Sequence, residues 1–83
     1  MIISRYIHIN KNKQRRENIK SSLSDQEIKV LSLIAEGHSN KEIAIKLFIA
    51  ETTVKSHVSN ILNKLNAKRR TEAVKIGREL KIV

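Results

Sequence analysis

An all-α fold of four short helices is predicted by three observations. The 83 residues contain no proline and only two glycines, Gly37 and Gly77. That suits helices joined by tight turns better than a strand-rich fold, which needs more turn residues. From residue 23 onward apolar side chains recur at three- and four-residue spacing, the period of an amphipathic helix. A chain this short also buries only a marginal core, and short helices packed on one another meet that limit most simply.

Residues 1–22 stand apart from this pattern. Ile2, Ile3, Tyr6, Ile7 and Ile9 could form a short strand or a helical turn. The polar, basic run at 10–22 reads as a linker or flexible arm. The domain organisation is therefore a basic N-terminal arm or linker over 1–22, whose order or disorder the sequence leaves open, and one domain over 23–83.

Helix 1 is predicted over Asp25–Glu36. Ser24 is a good N-cap, Glu27 completes a capping box, and Ile28, Leu31, Ile34 and Ala35 make one apolar stripe widened by Val30. Gly37 falls where a left-handed cap residue is wanted. Helix 2 is predicted over Asn40–Leu47, with Ser39 and Glu42 repeating the box. Ile43, Ala44 and Leu47 are its apolar face. At about two turns it cannot hold alone in water and must be packed by neighbours. Helix 3 is predicted over Glu51–Leu65, with Val54, Val58, Ile61, Leu62 and Leu65 inward. Helix 4 is predicted over Thr71–Lys81 from the stripe Ala73, Ile76, Gly77 and Leu80, with Val74 beside it. Ile82 and Val83 should tuck against the domain.

Charge narrows the function. The formal net charge is +9. It is split as +5 over 1–22, −1 over 23–50 and +5 over 51–83. Between Thr52 and Thr71 there is no acid, and Lys55, Lys64, Lys68, Arg69 and Arg70 supply five cations. A face without acids points to an anionic partner, of which duplex DNA is the commonest. A membrane surface is a poorer match, because the basic half lacks a Trp/Phe-rich apolar face, and no apolar run approaches a membrane span. With no cysteine and three dispersed histidines (His8, His38, His57), no metal site is expected. No cofactor is expected either. No acid/base pair, nucleophile–base set or phosphate-cradling glycine loop suggests an enzyme. The expected location is cytoplasmic.

The outward face of helix 3 is distinctive. Thr52, Lys55, Ser56, Ser59 and Asn63 line one stripe, flanked by Thr53, His57, Asn60 and Lys64. Serine and threonine are mediocre helix formers. A merely solvated face would carry more Glu, Lys and Gln. Small hydroxyls permit close approach and can bond phosphates or base edges. A short helix, a tight connection (Phe48, Ile49, Ala50) and a longer helix form a helix-turn-helix candidate. In it Ala44 allows close crossing, Ile49 plugs the gap and Val54 anchors the second helix on the first.

The stretches LSDQEIKVLSLIAEGHSNKEIA (23–44), LFIAETTVKSHVSNILNKLNA (47–67) and RTEAV (70–74) closely resemble the LuxR/GerE-type, or NarL/FixJ-type, DNA-binding domain. The resemblance implies a four-helix domain with the helix-turn-helix at helices 2 and 3. It also implies sequence-specific regulation of transcription on double-stranded DNA, commonly as a homodimer. Such a protein stands alone or is the output domain of a response regulator, and residues 1–22 show no receiver-domain sequence.

Position by position, the resemblance makes Lys55, Ser56 and Ser59 base-reading residues. Asn40, Lys41, Thr52, Thr53 and His57 fall at or near the phosphate backbone, with Lys64 and Arg70 as further backbone contacts. Helix 4 is where the family tends to dimerise, which puts Val74 and Gly77 near a partner helix.

The chain also departs from the family pattern. Ala50 replaces the usual Ser or Thr cap before helix 3. Gln26 and Lys29 replace a common Arg and Glu. Ser59 is shorter than the usual Lys or Arg, so one direct base contact is lost or bridged by water. A second functional class stays open at this point: a helical protein-interaction module, sigma-factor-like or adaptor, acting on RNA polymerase.

Overall fold

The computed structural model describes Ile19 and residues 21–83. Most of the basic arm expected over 1–22 lies outside the described residues. Within the described residues, four helices follow in order: α1 Asp25–Ala35, α2 Asn40–Leu47, α3 Glu51–Leu65 and α4 Arg70–Glu79. The backbone at Ile19, Ser21 and Ser22 is also helical, and Ile19 packs against the core. The fold is all-α, and the ranges of helices 2 and 3 match the sequence prediction.

α1 and α3 form the centre. Each packs against all three other helices, whereas α2 and α4 do not pack against each other. The core is Val30, Leu31 and Ile34 from α1, Ile43 and Ala44 from α2, Val54, Val58, Ile61 and Leu65 from α3, and Ala73 from α4. Leu23 completes it, a residue the sequence reading left out. It sits just before the Ser24 cap and five residues ahead of Ile28, the positions of a hydrophobic staple that fixes how a chain enters a helix. The two predicted capping boxes form. Ser24 and Glu27 bond reciprocally at 2.8 and 3.1 Å, and Ser39 and Glu42 do so at 2.9 and 3.2 Å.

All four helices end in the same way. A left-handed residue follows each: Gly37, Phe48, Asn66 and Lys81. The next amide then reaches back over the last turn: His38 to Leu33, Ile49 to Ala44, Ala67 to Leu62 and Ile82 to Gly77. These bonds satisfy carbonyls that a helix end leaves without partners. Lys81 explains why α4 stops at Glu79, two residues short of the prediction, since a residue with φ of 58° cannot continue a right-handed helix. Ile82 and Val83 turn back and pack on the core as expected. No described helix is long and apolar enough to cross a membrane.

Candidate nucleic-acid interface

α3 is divided cleanly between two faces. Val54, Val58, Ile61 and Leu65 are buried, which fixes the helix in rotation and along its axis. The opposite face presents Thr52, Thr53, Lys55, Ser56, Ser59, Asn60 and Asn63, all exposed, with His57 half-buried at its edge. The structure thus brings the three expected base-reading residues, Lys55, Ser56 and Ser59, onto one open surface. Ala50 leaves α3 without a side-chain cap, so its first amides have no local acceptor.

The start of α2 adjoins the connection from α1. Lys41 is exposed and Asn40 half-buried. Asn40 is held by an unanticipated partner. Nη1 of Arg70 donates to its Oδ1, and Nη2 of Arg70 donates to the His38 carbonyl at 3.0 Å. Glu42 closes the local capping box. The Ser39 amide and then its hydroxyl hold that carboxyl below its usual value.

Two of the expected phosphate contacts have partners within the molecule. Lys64 is not a free cation: its Nζ lies 2.7 Å from Glu27 Oε1 and 2.6 Å from the Ser22 carbonyl. Glu27 is 3% exposed and the Lys64 side chain 35%, so the pair ties α3 to the start of α1 at the edge of the core. Burial by itself pushes the Glu27 carboxyl up. The Lys64 hydrogen bond, the Ser24 amide, the Lys64 charge and the Ser24 hydroxyl together outweigh it and hold the carboxyl below its usual value. Arg70 is likewise engaged within the molecule. Lys64, Lys68 and Arg69 are all exposed and Arg70 is half-buried, but within the described residues no bond engages the side chain of Lys68 or Arg69. The acid-free stretch therefore offers less usable charge than its composition suggests. Nothing local in the sequence marks these pairs, whose members stand 37 and 30 residues apart.

Gly77, expected near a partner helix, is buried, and a Cβ placed on it would meet Leu31 and Val83 at 3.2 Å. It stands at the close approach of α4 and α1. Val74 is half-buried and lines a shallow depression of about 410 Å³ with Ile34, Gly37, His38, Arg70 and Thr71. The sequence reading also missed two exposed apolar side chains. Ile45 is 65% exposed and Phe48 is 94% exposed.

The family described as bacterial regulatory proteins, luxR family (GerE), matches residues 21–77. Among similar proteins, the DNA-binding transcriptional activator DevR/DosR of Mycobacterium tuberculosis is 51% identical over 61 residues, covering 74% of this chain and 28% of that protein. The transcriptional regulatory protein LiaR of Bacillus subtilis is 46% identical over 72 residues, covering 87% of this chain and 32% of that protein. The chain thus spans about a third of the length of these curated relatives. Among solved structures, the response regulator StyR superposes with a TM-score of 0.83 at 36% identity, over 92% of this chain and 38% of that one. The response regulator ChrA of a heme-sensing two-component system gives 0.72 at 41% identity, over 74% of this chain and 30% of that one.

Proposed function

Because the chain belongs to the luxR family of bacterial regulatory proteins, we propose that it is a sequence-specific DNA-binding regulator of transcription, standing alone or serving as the output domain of a response regulator. α3 enters the major groove. The observation that carries this reading is the two-faced α3, rigidly seated on Val54, Val58, Ile61 and Leu65 and open along Thr52, Lys55, Ser56 and Ser59. Lys55 reads guanine acceptors, while Ser56 and Ser59, short and both donor and acceptor, read base edges directly or through water. Asn40, Lys41, Thr52, Thr53 and His57 hold the phosphates that set the register. Exposed Lys68 and Arg69 add phosphate contacts beside Lys64, whose ammonium also bonds Glu27, while Arg70 is bonded to Asn40. The protein acts as a dimer through α4 with Val74 at the contact, in the cytoplasm where chromosomal DNA lies, and it carries out no catalysis.

Selection of bound duplexes from a random pool at two salt concentrations tests this. The expected winners share a short motif repeated with two-fold symmetry. Winners indistinguishable from the input pool at both salts would overturn sequence reading.

One observation favours a second activity. Ile45 and Phe48 expose apolar surface on α2 and the turn of the helix-turn-helix, as a protein-contacting patch would. Contact with RNA polymerase through this patch predicts that Ile45→Lys keeps operator binding and loses transcriptional output. Loss of both together would count against it.

A further inference from the structure

α2 and α4 do not pack on each other, yet one side chain joins their first turns. Arg70 opens α4. Its guanidinium reaches Asn40, which opens α2, and the His38 carbonyl just ahead of the Ser39 cap. The chemistry of this contact fixes more than distance. A guanidinium has only donors, so the planar Asn40 amide must turn its oxygen toward Arg70. Its NH2 group is then directed away from Arg70. Were the amide to flip, a carbonyl oxygen would take that place.

We propose that Arg70 is a positioning residue for DNA binding: it fixes the orientation of the Asn40 amide so that Nδ2, beside Lys41, donates to a backbone phosphate. This rests on the reading of the protein as a DNA binder and assigns Arg70 an indirect part in it. A phosphate oxygen accepts hydrogen bonds and repels lone pairs. A pre-set NH2 group therefore helps, and a freely flipping amide exposes its oxygen part of the time. Fixing the side chain before binding also removes an ordering cost from association. The guanidinium's second bond, to His38, holds the chain entering α2, so the orientation does not depend on one contact.

Two sets of measurements test the proposal, and the first needs no DNA. In the free protein, the Asn40 side-chain NH2 should be ordered by NMR relaxation and become mobile in Arg70→Met. An amide equally ordered in both would overturn the positioning role, whatever the protein binds. In the second set, operator affinity is measured for Arg70→Met, Asn40→Ala and the double variant. Asn40→Ala should weaken binding by about tenfold, the scale of one lost hydrogen bond to a charged group, and Arg70→Met by about two- to several-fold, the scale of leaving that amide free to flip. The double should be no worse than Asn40→Ala alone. The salt slope should stay at the wild-type value in Arg70→Met, because a positioning guanidinium releases no counterion. A slope reduced by about one unit would mean direct phosphate contact and overturn the proposal, as would losses that multiply in the double variant. Asn40→Asp guards against a folding artefact. It keeps an acceptor for Arg70, so the fold should hold. It replaces the donor with a negative charge, so affinity should fall by about a hundredfold or more. Wild-type affinity in a folded Asn40→Asp protein would remove Asn40 from the phosphate and overturn the proposal. If wild-type protein bound no duplex while the NMR result held, the DNA reading alone would fail.

Discussion

Glu27 does two jobs with one carboxylate. It closes the α1 capping box with Ser24 and accepts from Lys64 across the fold. Sequence reasoning reached the first role, because a capping box is a local spacing rule. It could not reach the second, which depends on α1 and α3 lying side by side. Glu27→Gln should cost about 2 kcal/mol in urea melts, the scale of a buried hydrogen bond to a charged group. The pH dependence has a defined sign. A carboxyl held below its usual value adds stability that is fully present above about pH 4.3, its unperturbed value, and is lost as pH falls through the lowered one. Wild-type stability should therefore fall more steeply than that of Glu27→Gln as pH drops below about 4.3, and parallel curves would remove the ion pair as the cause. On the open face, Lys55→Ala should weaken operator binding by about 1–3 kcal/mol and relax base preference. An equal loss on operator and random duplex would leave Lys55 a phosphate contact only.

The start of α3 and the end of α2 are weak points among the elements. Ala50 provides no side-chain acceptor at the start of α3. Ala50→Ser should add about 1 kcal/mol of stability, read as a higher melting temperature, and slower amide exchange at Thr52 and Thr53. Unchanged exchange there would mean that α3 is held by packing alone. Phe48 ends α2 in a left-handed conformation at φ of 56°, with its ring almost wholly in solvent. That conformation disfavours a side chain with a Cβ by about 1 kcal/mol, and the exposed ring recovers little by burial. Phe48→Gly should stabilise the domain by about that amount. A loss of stability would show that the ring packs in a way its exposure conceals. The four helix ends also show where sequence reading stops. Gly37 and Asn66 are residue types that tolerate left-handed backbone, whereas Phe48 and Lys81 are not. The α4 boundary was overextended for that reason.

The whole molecule separates seating from contact. α1 and α3 touch every other helix and form a frame on which α2 and the outer face of α3 are presented. The excess of positive charge makes association with DNA salt-dependent, and Lys64 and Arg70 also contribute to the frame. Dimerisation belongs to this scale as well. Val74→Glu should leave binding to a single half-site intact and abolish the extra affinity for a two-fold site, measured by gel shift on both duplexes. Equal binding of wild type and variant to the two-fold site would move the dimer contact away from Val74. The sequence by itself determined the four helices, both serine caps, the buried stripe of α3 and its polar opposite face. Each of these follows from spacing within about ten residues, which apolar periodicity and cap chemistry encode directly. Only the tertiary structure decided which cations are free. Lys64 and Arg70 look like their neighbours Lys68 and Arg69 in the chain, and they differ because the fold brings Glu27, Ser22, Asn40 and His38 within hydrogen-bond reach of two of the four. It also decided that Gly77 faces Leu31 and Val83, since a glycine in a helical stripe does not reveal whether the surface it meets is its own α1 or a second molecule.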